Sequence, residues 1–175
     1  MRYVALLRGI NVGGNNMIKM ETLRATFESL GFENVNSYIN SGNLAFDTSK
    51  TDDSKLAKKI HDAILKDFGF DISVMVRSIT EIKEIIANNT YIGQFDNDKD
   101  VHVFFLGSEP TAEQKTQLQE KTNENEYITI TGRTIYYMLR ISILDSALGK
   151  GFLDRKLKIV NTARNWRTVQ KLAEL

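Results

Sequence analysis

The stretch VNSYINSGNLAF, residues 35–46, is typical of a β-hairpin. Residues 35–39 and 44–46 predict two short strands, and the polar NSGN between them predicts the turn. Gly42 can adopt a positive φ there without the steric cost that a side chain would add. The stretch therefore places two antiparallel neighbours in the middle of the first half of the chain.

The sequence on each side of this hairpin predicts one strand and one helix. The strands are expected at residues 3–8 and 72–76. Gly31 and Gly69 are expected to end the two helices. The apolar positions of these helices, at helical spacing, are Met20, Leu23, Phe27 and Leu30, and Leu56, Ile60, Ile64 and Phe68. The resulting order is βαββαβ, the order of a ferredoxin-like unit, followed by a short helix.

The same order of elements is predicted a second time after a polar stretch. The expected strands are at residues 101–106, 127–131, 134–139 and 157–160, and the expected helices are at residues 111–121, 142–152 and 163–172. The fold class predicted is α+β, with two tandem ferredoxin-like (βαββαβ) halves, each followed by a helix. The halves are expected at residues 1–88 and 101–175, joined by residues 89–100.

Composition narrows the class of protein. The chain of 175 residues is 42% hydrophobic and 26% charged, which is ordinary for a globular protein. It contains no cysteine, so disulfides and thiol nucleophiles are excluded. The apolar run at the start of the sequence is too short for a signal peptide, and no apolar stretch is long enough to span a bilayer. We therefore expect a cytoplasmic protein without a membrane partner.

The charge is balanced overall but unevenly distributed. The formal net charge is +1, so no global nucleic-acid footprint is present. Residues 148–175 nevertheless contain seven basic and two acidic residues. A solvated basic face is the simpler interpretation, and an anion-binding surface is the alternative.

The opening loop, in LLRGINVGGNN at residues 6–16, is the first candidate site. Gly9 and Gly14 are spaced as in a phosphate-binding loop, but Asn15 and Asn16 stand where that loop has lysine and a hydroxyl residue. This argues against a nucleoside triphosphatase. A glycine loop between a strand and a helix can still present backbone N–H groups to an anion, with Arg8 at its mouth. The alternative is a tight turn shaped by glycine and asparagine.

The closing segment NTARNWRTVQKL, residues 161–172, is the second candidate site. Thr162 is expected to cap a helix, with Trp166 buried on its apolar stripe. Arg164 and Arg167 then fall in or near the first turn, where the helix dipole disfavours cations. Either a carboxylate of the fold or a ligand phosphate could offset that cost.

The residues in both segments resemble those of a bacterial family known as domain of unknown function 1697. The resemblance covers essentially the whole chain. Its signature positions correspond here to Arg8, Gly9, Asn11, Gly13 and Gly14, to Ser41, Gly42 and Asn43, and to Arg164, Asn165, Trp166 and Thr168. The resemblance implies no established activity, but it points to the same loops as the physical argument.

We therefore expect a phosphate-bearing ligand, either a nucleotide or a nucleic-acid backbone, with Arg8 or Asn11 on the same face as Arg164 and Asn165. Neither a cofactor nor a metal is predicted. The predicted ligand-binding residues are Arg8, Gly9, Asn11, Gly13, Gly14, Ser41, Asn43, Arg164, Asn165 and Arg167. The alternatives are a small-molecule enzyme that uses Arg8, Ser41 or Arg164, and a protein-interaction module.

Overall fold

The computed structural model describes all of residues 1–175. Short antiparallel strands form the sheets of the fold. Two compact units are present. One consists of Met1–Glu84 together with Lys171–Leu175, and the other consists of Ile85–Gln170. The fold is mixed α+β, with a four-stranded antiparallel sheet in each unit and six helices in all. No helix has the length and apolarity needed to cross a membrane.

The first sheet has the order β2-β3-β1-β4, so β1 lies between two antiparallel partners. The elements of this part of the chain are β1 (Arg2–Leu7), α1 (Met20–Ser29), β2 (Glu33–Tyr38), β3 (Asn43–Asp47), α2 (Asp53–Phe68), β4 (Val74–Ser78) and α3 (Ile79–Ala87). The hairpin predicted from residues 35–46 is confirmed as the β2–β3 pair.

Residues at each end of helix α2 determine where it begins and where it ends. The side chain of Asp52 accepts hydrogen bonds from the backbone N–H groups of Ser54 and Lys55, which caps the first turn. Gly69 ends the helix with a φ of 74°. The buried residues of the helix join those of α1 and of one face of the sheet in a single cluster.

The second sheet has the order β6-β7-β5-β8, with β5 between two antiparallel partners. The elements are β5 (Val101–Leu106), α4 (Ala112–Lys121), β6 (Glu126–Thr131), β7 (Thr134–Leu139), a 3₁₀ turn (Ile143–Asp145), α5 (Phe152–Arg155), β8 (Asn161–Asn165) and α6 (Trp166–Leu172). The predicted β5, α4, β6 and β7 are confirmed to within one residue at each end.

Three predicted elements after β7 are wrong in extent or position. The helix expected at residues 142–152 is replaced by the 3₁₀ turn and α5, because Ser146 is extended with a ψ of 160° and Gly151 adopts a φ of 82° immediately before α5. The strand expected at residues 157–160 is absent, since Lys158 has a φ of 56°, which is incompatible with an extended strand. The closing helix begins at Trp166 rather than at residue 163, because the preceding residues form β8.

Strands β7 and β8 run in the same direction, because both are antiparallel to β5. Parallel strands cannot be joined by a tight turn, so residues 140–160 form a crossover. Four apolar side chains anchor this crossover in the core of the unit: Leu148, Leu153, Leu157 and Ile159. Trp166, which follows β8, is 2% exposed, as predicted.

Gly42 marks the tightest approach in the first unit. The backbone N–H of Leu7 donates to the carbonyl of Gly42 at 2.8 Å. A Cβ on Gly42 would lie 2.7 Å from the Cβ of Leu7 and 3.1 Å from the side chain of Ile10, and its φ is 84°. Only glycine combines an easily adopted positive φ with the absence of a Cβ. Glycine at this position therefore lets the turn pack directly on the core.

We expect Gly42→Ala to destabilise the protein more than Gly69→Ala. Gly69 has a similar φ, but an added Cβ there meets nothing within 4 Å. Gly69→Ala should cost about 1–2 kcal/mol for the left-handed backbone alone. Gly42→Ala should cost a further 1–3 kcal/mol, roughly, from overpacking. Urea denaturation of both variants measures the difference, and equal costs would show that the contact with Leu7 is easily relieved.

Candidate functional site

Asn11 fixes the loop formed by residues 9–16 of the first unit. Its side-chain Oδ1 accepts from the backbone N–H of Ile18 at 2.8 Å. Its Nδ2 donates to the carbonyl of Ile18 at 3.0 Å and to that of Asn40 at 2.8 Å. One asparagine therefore closes the loop and ties it to the β2–β3 turn.

The tip of the same loop exposes its backbone. Gly13 and Gly14 are both exposed and have φ values of 58° and 77°. Below them Asn15 N–H donates to the Val12 carbonyl at 3.0 Å, and Asn16 Nδ2 donates to the Gly9 carbonyl at 3.1 Å. The Asn16 side chain thus bonds the loop's own backbone, while the peptide groups of the two exposed glycines are accessible to an approaching molecule.

The other predicted residues of the first unit have structural partners. Arg8 is half-buried, and its backbone N–H donates to the Ser73 carbonyl at 3.0 Å. Asn43 is fully buried and donates through Nδ2 to Ser41 Oγ at 3.0 Å and to the Tyr38 carbonyl at 3.1 Å. Ser41 is therefore held within the turn, next to the loop that Asn11 closes.

The position expected for Arg164 is wrong. It lies on β8, paired with Val103 of β5, and not in the first turn of a helix. It is 8% exposed, and its Nη1 donates to Thr162 Oγ1 and to the Ala163 carbonyl, both at 2.8 Å. Burial lowers the pKa of Arg164 to about 10, so the group is still charged at neutral pH. Two acceptors on its own strand therefore bind this cation.

Asn165 takes the capping role that the sequence analysis gave to Thr162. Its Oδ1 accepts from the backbone N–H of Thr168 at 2.9 Å. Because successive residues of a strand point to opposite faces, Arg164 and Asn165 do not share a face of the sheet. Arg167 is exposed on α6. The stronger capping preference of asparagine over threonine is the sequence signal for the later helix start.

Arg164→Ala should lower the free energy of unfolding by about 1–3 kcal/mol, because it leaves buried acceptors without a donor. Arg167→Ala is the matched control, an exposed arginine three residues away, and should change stability by less than about 0.5 kcal/mol. Chemical denaturation of the two variants makes the comparison. Equal stabilities would mean that the hydrogen bonds of Arg164 contribute nothing.

A pocket of about 470 Å³ in the second unit gathers basic side chains that are separate in the sequence. Its lining consists of Lys121, Ala147, Lys150, Phe152, Arg155 and Lys156. Lys121 comes from the end of α4, and the others come from the crossover. Lys121 Nζ lies 5.9 Å from the centre of the Phe152 ring. The pocket thus combines four cations and an aromatic face, with no acidic side chain in its lining.

The crossover explains how this pocket forms. The buried Leu148 and Leu153 anchor the chain on either side of Lys150, which is exposed. Gly151 turns the chain with its positive φ, and a Cβ on it would lie 3.3 Å from Arg155 Nε. Apolar anchoring therefore leaves the basic residues on the outer side of the crossover, where they line one pocket.

The sequence predicts this basic segment, with a solvated face as the simpler interpretation and an anion-binding surface as the alternative. It gives no local indication of Lys121, which is distant along the chain, and it places Phe152 at the end of a predicted helix. The available signal was the density of basic residues around two glycines. No group of three or more histidine, aspartate or glutamate side chains could hold a metal ion.

The chain is similar to known proteins in both sequence and fold. A family model described as "Protein of unknown function (DUF1697)" matches residues 1–136. The chain is similar to a solved structure, the conserved bacterial protein SP0830 from Streptococcus pneumoniae, with 26% identity and a TM-score of 0.79 over 99% of this chain and 97% of that chain. No curated protein matches the chain. The family match includes the loop at residues 9–16 and ends before the crossover.

Proposed function

We propose that this chain, which belongs to the family described as "Protein of unknown function (DUF1697)", binds a phosphate-bearing small molecule in the basic pocket. The observation that carries the proposal is the convergence of Lys121, Lys150, Arg155 and Lys156 on one concavity. Gathering like charges costs free energy, and a bound anion offsets that cost. Phosphate groups accept charged hydrogen bonds from lysine and arginine.

A nucleotide fits this pocket better than a nucleic-acid backbone. The volume of about 470 Å³ is within the range of small-molecule sites. Phe152 lines the pocket as a half-buried aromatic ring with Lys121 Nζ over it, so a base in the pocket would contact the ring among the cations. A net charge of +1 gives the chain little long-range attraction for a polyanion.

The double variant Lys150→Ala/Arg155→Ala should weaken ATP binding by at least about tenfold, or 1.4 kcal/mol, as measured by calorimetry on the full chain. The reason is the loss of two charge-assisted contacts to phosphate. Lys83→Ala, which removes an exposed lysine from α3, is the control and should bind ATP like the wild type.

Two results would overturn the proposal. One is ATP affinity unchanged in the double variant, and the other is no measurable binding of ATP, AMP or ribose 5-phosphate by the wild type. A short oligonucleotide that binds more tightly than ATP, with a steep dependence on salt, would instead favour the nucleic-acid backbone as the ligand.

We retain the loop of residues 9–16 as a second proposed contact surface for the same class of ligand. Its exposed glycines, its closure by Asn11 and the absence of acidic residues from position 8 to position 19 support this assignment. A glycine-rich loop of this kind lets an anion approach the backbone. Arg164 and Asn165 are not assigned to this surface, because their polar atoms hold β8 and α6.

Asn15→Asp tests this loop, since it adds a negative charge to an exposed residue with little change in size. We expect ATP to shift the backbone amide NMR signals of residues 9–16, and Asn15→Asp to raise the ATP concentration needed for these shifts several-fold, because the added charge repels phosphate. Asn88→Asp, at another exposed asparagine, is the matched control. Loop signals that do not respond to ATP, or that respond equally in Asn15→Asp and the wild type, would remove the loop from the proposal and leave the basic pocket in place.

We also propose that the chain consists of two ferredoxin-like halves, at residues 1–88 and 101–175, joined by residues 89–100. The repeated βαββαβ order supports this, as do the two strand orders, β2-β3-β1-β4 and β6-β7-β5-β8, in which the first strand of each unit lies inside its sheet.

A further inference from the structure

His102 occupies an unusual position on β5. Phe104 and Leu106, which follow on the same face of the strand, belong to the apolar core of the unit. His102 is directly opposite Asn165 of β8 and Tyr137 of β7. The polar ring of His102 therefore lies at the end of the sheet, on the face that packs against the apolar core.

The two nitrogens of this ring have different surroundings. Nδ1 is buried and has no hydrogen-bond partner. Burial lowers the pKa of His102, and the nearby Asp100 only partly opposes this effect, so the ring is neutral at neutral pH. A proton on Nε2 leaves a lone pair rather than an N–H group at the buried position. Nε2–H is then the donor that a molecule beside the ring can reach.

A pocket of about 610 Å³ opens beside His102. Its polar lining consists of Lys99, Asp100, His102, Arg140, Ser142 and Asn165. Arg140 is oriented by a hydrogen bond from Nη2 to the Gln94 carbonyl at 2.8 Å. Three apolar residues form the remaining wall of the pocket: Leu139 at the end of β7, and Ile141 and Ile143 in the crossover. This pocket shares no residue with the basic pocket.

The charges in the lining indicate the kind of molecule that fits. Lys99 and Arg140 are cationic and Asp100 is anionic, which leaves one positive charge to be balanced. A carboxylate monoanion balances it, whereas a phosphate dianion brings excess negative charge close to Asp100. The apolar wall suits a hydrocarbon body attached to that carboxylate.

We propose that this pocket binds a small carboxylate-bearing molecule, with the carboxylate between Lys99, Arg140 and Nε2 of His102 and the apolar part against Ile141 and Ile143. The site is independent of the proposed nucleotide function, because none of its lining residues lines the basic pocket. Either assignment can fail while the other stands.

The test uses benzoate as the probe and the imidazole NMR signals of the full chain as the readout. The chain has two histidines, so His61→Gln leaves the signals of His102 alone. Benzoate should shift these signals in a saturable manner and raise the pKa of His102, because a bound anion favours the imidazolium. Benzamide, which has the same shape without the charge, should do neither.

Lys99→Gln should weaken benzoate binding by about tenfold, and Lys83→Gln is the control for an exposed lysine elsewhere. Both lysines are exposed, so neither variant is expected to disturb folding. The proposal is overturned if benzoate gives no saturable shift, if benzamide acts equally, or if Lys99→Gln binds like the wild type. Inorganic phosphate binding more tightly than benzoate would overturn the choice of a carboxylate.

Discussion

The second unit depends on one topological constraint, the need to join two strands that run in the same direction. Strands β7 and β8 both lie antiparallel to β5, so the chain between them must cross the sheet instead of turning. The first unit solves the same problem between β3 and β4 with the sixteen-residue helix α2. The second uses the largely irregular residues 140–160, which the core holds through leucine and isoleucine side chains.

This difference explains where polar groups gather. A regular helix distributes its charges along a solvated face, as α2 does. The irregular crossover instead folds its basic residues around Phe152, beside the end of α4. Its first residues pass the end of the sheet, where His102 interrupts the apolar face of β5. Both pockets of the second unit that we assign to ligands therefore border the crossover.

The sequence predicts the regular elements well and the crossover poorly. Helices and hairpins with local signals, such as the Asp52 cap and the turn at Gly42, lie where their patterns indicate. The start of α6 depends also on pairing between β5 and β8, which are separated by more than fifty residues. This pairing keeps Thr162 within β8 and leaves the cap of α6 to Asn165. Arg164 is affected by this difference. Its position in the sequence predicts a cation that faces a ligand, whereas pairing of β8 with β5 buries its side chain. The basic pocket could not be foreseen either, because Lys121 joins it only through tertiary packing.

The most direct test of the central claim is a backbone amide NMR titration of the isotope-labelled chain of 175 residues with ATP. The claim predicts saturable shifts that centre on Lys121 and on residues 147–156, the segments that line the basic pocket. Shifts confined to other parts of the chain, or none that saturate, would contradict it.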